Sequence, residues 1–263
     1  MKNLSVLALI FLTSVSNLSC QSWKKWNMYS IEDDKKLGLS VSQEIASKPN
    51  EYPLLPEQGN EEVYRFIRGI KDNILNSGRV KNKKNFAWEV KIIKDDKVLN
   101  AFCTPGGYIY VYTGLIKYLD TEDQLAGVLG HEIAHADMRH STRQLTKVMP
   151  LAVVGEVLAG NNKNKAAIAN ITTTLASLSF SRDHEKEADK YSVYYLCNSG
   201  YDGAGAAGFF KKIKGKNSTP QFLSTHPDPG NRVKAIEEQA AKLHCSNYSD
   251  KPQTNYQRIK SLL

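Results

Sequence analysis

His131 and His135 stand four residues apart, with Glu132 directly after the first of them. On an α-helix residues four apart share a face, so the two imidazoles can offer nitrogens to a single ion. Zn²⁺ suits two imidazoles, and a catalytic zinc takes a third protein ligand and keeps a position for water. Glu132 can then take the proton of that water as general base. The bland alternative is a helix whose two histidines face solvent. Its flanks argue against that. Thr121-Glu122-Asp123-Gln124 has the pattern of a capping box, with acidic residues at the positive end of the helix dipole. Leu125, Val128, Leu129 and Ile133 recur at helical spacing as an apolar face. Gly127 and Gly130 lower helix propensity and predict the close approach of another backbone. The pattern places the motif on a buried helix.

A third ligand must come from elsewhere in the chain. The arrangement with a histidine six residues after the motif would need glycine at 138 and histidine at 141, where the chain has Met138 and Ser141. His140 follows His135 by five residues, too far round a continuous helix to join the same ligand set; it reads as a surface histidine or one standing behind the ligands. The next dense polar cluster runs from Ser181 to Asp189 and opens a second helical pattern through Tyr191, Tyr194, Tyr195 and Leu196. Glu185 and Asp189 are four apart on one face. One carboxylate can bind the metal while the other receives the free ring N–H of a ligating histidine.

His-Glu-Ile-Ala-His, followed some fifty residues later by Ser-Arg-x-x-Glu-x-Glu-Ala-Asp, resembles the gluzincin family of the CAAX prenyl endopeptidases. In layout the chain is most similar to the periplasmic lipoprotein members of that family. Asn100 to Val111 is similar to the family's strand-turn-strand ahead of the zinc helix, with Cys103 where a small residue is usual. Ser224-Thr225-His226-Pro227, with Arg232 six residues past His226, resembles its C-terminal catalytic segment. The resemblance runs from about Ile31 to Leu243. It implies that Glu185 is the third zinc ligand and Asp189 the partner that orients a ligating histidine, His131 by analogy. It also implies that His226 and Arg232 stabilise the developing oxyanion, and that one Zn²⁺ is bound per chain. His226 is a candidate fourth metal ligand as well, able to occupy the water position at rest. The substrate is expected to lie extended along the strand at Asn100, Ala101 and Phe102, held by backbone hydrogen bonds.

Met1-Lys2-Asn3 and the apolar Leu4–Leu12 read as a secretory signal, too short to be a permanent membrane span. Leu18-Ser19-Cys20 resembles the end of a bacterial lipobox, with Asn17 a departure from it, and makes Cys20 the lipidation site. The expected organisation is a signal peptide at 1–19, a lipidated tether at 20–30, a metallopeptidase domain at 31–245 and a C-terminal tail at 246–263. The expected location is the bacterial periplasm, anchored to the outer membrane by lipid and without a transmembrane helix in the mature chain. The apolar run Val148–Leu158 is interrupted by Glu156 and reads as a helix that leans on a membrane or covers a cleft. The net charge of +8 is spread along the chain without an arginine-rich stripe, so no nucleic-acid partner is expected. Cys103 reads as a buried thiol, and Cys197 and Cys245 could bridge in an oxidising compartment.

The elements that must position these residues follow from periodicity and breakers. Helical patterns cover Ile31–Ser47 and Glu61–Asn76; alternation marks strands at Phe86–Ile93, Val98–Cys103 and Tyr108–Tyr112. After the zinc helix the pattern is helical at about 166–179, 183–198, 203–214 and 229–243. The fold class expected is α+β, a mostly helical zincin-type metallopeptidase domain with a small β-sheet beside the zinc helix. The expected function is a zinc endopeptidase cleaving extended, misfolded or unassembled envelope proteins. The alternative is a zinc-binding assembly or holding factor whose protease activity is latent.

Overall fold

The computed structural model describes residues 26–159, 165–214, 220–228, 230–246 and 253–263. The signal-peptide expectation and Cys20 lie outside these residues. Helices α1 (Ile31–Ala46) and α2 (Glu61–Leu75) precede strands β1 (Glu89–Ile93), β2 (Ala101–Thr104) and β3 (Tyr108–Tyr112). The rest is helical: α3 (Thr113–Tyr118), α4 (Glu122–Asp137), α5 (His140–Val148), α6 (Leu151–Leu158) and α7 (Lys165–Ala176). Then come α8 (Arg182–Leu196), α9 (Gly205–Ile213), α10 (Gln221–Thr225), α11 (Arg232–Lys242) and α12 (Gln253–Ser261). This is the expected α+β architecture.

Local chemistry accounts for the main starts and stops. Ser30 and Asp33 form a reciprocal capping box at α1. At α4, Thr121 Oγ1 accepts from Gln124 N at 3.2 Å, while the Gln124 side chain reaches back to Asp120 N at 2.9 Å. The sheet order is β1-β3-β2, with β1 parallel and β2 antiparallel to β3. Pro105-Gly106-Gly107 turns the chain between β2 and β3, and both glycines take positive φ. β1 starts at Glu89, three residues later than its alternation suggests, because Trp88 takes φ 50° and donates from its indole to the carbonyls of Asn82 and Lys83.

The sheet has a core on each face. On one side α2, α4, α8 and α9 enclose Ile67, Val111, Leu129, Ile133 and Phe209. On the other, α1, α6 and α7 close over Phe102, Tyr110 and Tyr112, with Val41, Val154 and Ile171 among them. The apolar run at 148–158 therefore turns Val154 and Val157 into this core and leaves Val148 and Leu151 exposed. Among the described residues no helix is long and apolar enough to cross a membrane.

The C-terminal end corrects one expectation. Residues 253–263 are part of the body rather than a tail: Tyr256 is fully buried, packs on Phe66 and donates to the Ile116 carbonyl at 2.7 Å. Its short helix lacks a strong apolar stripe, and two residues, Tyr256 and Ile259, carry the packing. Cys197 and Cys245 are joined in a disulfide that ties the end of α11 to the end of α8. Cys103 is a free, buried thiol, and burial pushes it far above the ordinary thiol range.

Candidate metal centre

Two helices bring the chemistry together. α4 carries His131, Glu132 and His135; α8 carries Glu185 and Asp189 one turn apart. They pack closely because α4 carries glycine at two of its contacts. A Cβ on Gly130 would crowd Ser192 Oγ at 2.8 Å, and one on Gly127 would collide with the backbone of Ala206 on α9. Ser192 also donates to the Gly127 carbonyl at 3.0 Å, and Tyr195 donates to Asp137 at 2.6 Å. The close approach expected from these glycines is thus observed, and it sets the distance between the histidines and Glu185.

His131, His135, Glu185 and His226 each point one donor atom into the same space, all within 4.8 Å of one another. His131 Nε2 and His135 Nε2 are 3.0 Å apart, and Glu185 lies 3.3 Å from the first and 3.2 Å from the second. His226, just past α10, brings Nδ1 to 3.2 Å from Glu185 and 3.3 Å from His131 Nε2. All four are essentially inaccessible to solvent. Three imidazoles and a carboxylate converging on one space could together hold a divalent metal. Beside it the oxygens of Glu132 and Nε2 of His226 are buried without hydrogen bonds, Glu132 Oε1 and His226 Nε2 facing each other at 3.4 Å. The residues present fit a zinc-type site.

Behind the donors stands a charged brace. His131 Nδ1 lies 2.9 Å from Asp189 Oδ1. Arg232 donates to both Asp189 oxygens, at 3.0 and 2.7 Å, to Glu185 at 3.0 Å and to the His226 carbonyl at 3.3 Å. Its donors are directed at groups of the site, and it stacks its guanidinium over Phe210. Burial opposes charge on His131, but Glu185 and Asp189 outweigh it and push the ring up to about 9 in the metal-free site. Burial would raise Glu185; His226, His131 and His135 outweigh it and hold this carboxylate well below its usual range. Burial lowers His135 and raises Glu132.

Ala101 and Phe102 open β2, an outer strand of the sheet, and Asn100 stands just before it. They are at most 5% exposed, Ala101 lying in the core on one face of the sheet and Phe102 in the core on the other, and just before them Phe222 N donates to the Leu99 carbonyl at 3.1 Å. Phe102 points to the far core, stacked on Tyr110.

Sequence reasoning left His140 undecided between the surface and a place behind the ligands. It is fully buried, and its Nδ1 lies 3.0 Å from His135 Nδ1. The assumption of a continuous helix concealed this: α4 stops at Asp137, and Arg139 takes a left-handed conformation before α5 begins. Phe180, Phe222 and His184 are further neighbours that periodicity did not single out; their rings pack on His135, His226 and His140 respectively.

Comparison with known proteins agrees with this geometry. The model of peptidase family M48 matches residues 62–240. The beta-barrel assembly-enhancing protease of Yersinia pestis is 29% identical over 231 residues, 81% of this chain and 45% of that protein. The mitochondrial metalloendopeptidase OMA1 of Arabidopsis thaliana is 32% identical over 161 residues, 59% of this chain and 32% of that protein. Its counterpart in Schizosaccharomyces pombe is 25% identical over 233 residues, 87% of this chain and 67% of that protein. The chain spans less than half the length of the first two relatives.

Proposed function

This chain belongs to peptidase family M48, and on that basis we propose that it is a zinc-dependent endopeptidase of the bacterial cell envelope, acting on misfolded or unassembled proteins. The observation that carries the reading is the convergence of His131, His135 and Glu185 beside a buried Glu132 that makes no hydrogen bond and faces His226 Nε2 at 3.4 Å. His131, His135 and Glu185 hold one Zn²⁺, which when bound supplies a Lewis acid and activates water at neutral pH. Glu132 accepts the proton of the attacking water and returns it to the departing amine. Asp189 receives the Nδ1 proton of His131 and keeps Nε2 turned toward the donors. Arg232 neutralises Asp189 and Glu185 and fixes their orientation; its contacts favour that role over donation to an oxyanion.

His226 acts as a gate. With Nδ1 among the donors it fills the position that a catalytic site leaves for water. It is carried by the same segment whose Phe222 N donates to the Leu99 carbonyl, just before β2. Withdrawal of that segment would open the metal and release the Leu99 carbonyl beside Asn100, Ala101 and Phe102, the strand along which an extended polypeptide would pair. Once displaced, His226 Nε2 is the available donor for an oxyanion.

A zinc-binding holding factor with latent proteolysis is the second reading, favoured by the same four-donor closure. A purely structural site has no use for Glu132. Secretion and lipidation at Cys20, with residues 20–30 as tether, place the protein at the periplasmic face of the outer membrane, and the Cys197–Cys245 disulfide suits an oxidising compartment. Metal analysis of the purified chain should show about one zinc equivalent, and casein should be cut in a chelator-sensitive manner. His131→Ala and Glu185→Ala should lose most of the zinc. Full zinc and turnover in Glu185→Ala would overturn the ligand assignment.

A further inference from the structure

Arg139 takes φ 60°, ψ 35° between α4 and α5. Asp34 holds it there, accepting from Arg139 Nε at 2.6 Å and Nη2 at 3.0 Å, while the Tyr29 and Ser30 carbonyls accept from the same Nη2. This break starts α5 in a new direction and turns its first residue, His140, back toward α4. His140 Nδ1 lies 3.0 Å from His135 Nδ1, and His140 Nε2 lies 3.1 Å from Glu187 Oε2. Arg143 donates to the same Glu187 oxygen at 3.0 Å. The ring planes are fixed from the sides: His184 stacks on His140 at 4.4 Å between centroids, and Phe180 packs on His135 at 4.0 Å.

Two ring nitrogens facing each other form a hydrogen bond only when one carries a proton and the other does not. If His135 offers Nε2 to a metal, its proton sits on Nδ1, so His140 Nδ1 must accept it. The remaining proton of His140 is then on Nε2, where Glu187 accepts. One assignment satisfies both contacts. The reverse assignment puts a proton on His135 Nε2, among the metal donors, and leaves His140 Nε2 unprotonated against a carboxylate. His131 has its carboxylate partner, Asp189, directly behind it; His135 has the same arrangement with one imidazole inserted. We propose that His140, Glu187 and Arg143 form a positioning chain that locks His135 in its metal-binding tautomer and orientation, and so tightens the site's hold on its metal. The proposal rests on His135 being a ligand.

The test is the zinc Kd of the full chain, measured by competition with a chelator of known affinity, together with the melting temperature of the metal-free protein. Glu187→Gln keeps size and removes the charge at the end of the chain; it should weaken zinc binding about tenfold or more, while His140→Asn regains affinity over His140→Ala without regaining metal-free stability, so that affinity and stability separate. His140→Ala should weaken binding about 10- to 100-fold. His140→Asn, whose side-chain oxygen can still accept from His135 Nδ1, should recover part of that loss. His135→Ala is the control and should abolish tight binding. If it does, while Glu187→Gln and His140→Ala bind zinc as wild type does, the positioning chain is refuted and the ligand assignment stands. If His135→Ala keeps wild-type affinity, the ligand assignment falls and the chain with it. A Glu187→Gln protein that loses metal-free stability along with affinity, with no recovery in His140→Asn, would show packing rather than positioning and overturn the proposal.

Discussion

Glu132→Gln keeps the shape of the side chain and removes its charge and its basicity, so it separates the chemistry of the site from its architecture. Glu132 is fully buried, and neither oxygen has a hydrogen-bond partner. As the general base, its loss should lower turnover of casein by about a hundredfold or more. Zinc content should stay near one equivalent, because Glu132 is not among the converging donors. The stability of the metal-free protein should move the other way. Burial raises the Glu132 pKa, so at neutral pH its ionised form is less favourable in the folded chain than in the unfolded one. A carboxylate with a raised folded pKa costs stability above its unfolded value of about 4.3, and the cost fades as pH falls through that value. The amide has no such cost. At pH 7 the metal-free variant should therefore be more stable than wild type by about 1 kcal/mol, the lower end for relieving an unsatisfied buried charge, or about 2–4 °C in Tm for a chain of this size. The difference should vanish near pH 4. Scanning calorimetry of chelated samples across pH, beside casein turnover of zinc-loaded samples, reads both effects. Near-normal turnover would refute the base assignment, and a metal-free variant less stable than wild type at pH 7 would refute the burial argument.

His226→Ala should raise basal proteolysis and autolysis, because it removes the fourth donor at the centre; unchanged autolysis and turnover would remove the gate, and a ten- to thousandfold fall in kcat would assign His226 to the oxyanion alone. Replacing Cys197 and Cys245 together by Ala should cost about 4 kcal/mol, the chain-entropy value for a separation of 48 residues, and lower Tm by roughly 8–16 °C in thermal unfolding. A shift of under about 2 °C would show that the packing of α11 does the work without the bond.

The zinc helix was legible because every level of its sequence agrees. The capping residues at Thr121–Gln124, the apolar stripe through Leu125, Leu129 and Ile133, and the four-residue spacing of His131 and His135 are all local properties. The pairing of Glu185 with Asp189 was readable for the same reason: both lie one turn apart on one helix, whose N-cap Ser181 is a local signal too. Gly127 and Gly130 announced a close neighbour, though not which one. The C-terminal helix was misjudged because a short segment with two core residues carries too little periodicity to separate it from a tail.

The sequence by itself determined which side chains could bind metal and take a proton, and on which helices they ride, because helical spacing is a local rule that context rarely overrides. Only the tertiary structure decided how those helices meet. The glycine contacts of α4 set the gap into which Glu185 reaches. A left-handed residue at Arg139, stabilised by Asp34 from more than a hundred positions away, turned His140 from an apparent bystander into the neighbour of His135. Folding of the segment around α10 placed His226 among the donors and bonded Phe222 N to the Leu99 carbonyl. Each of these depends on contacts between residues far apart in the chain, and such contacts leave no periodic trace in a single sequence.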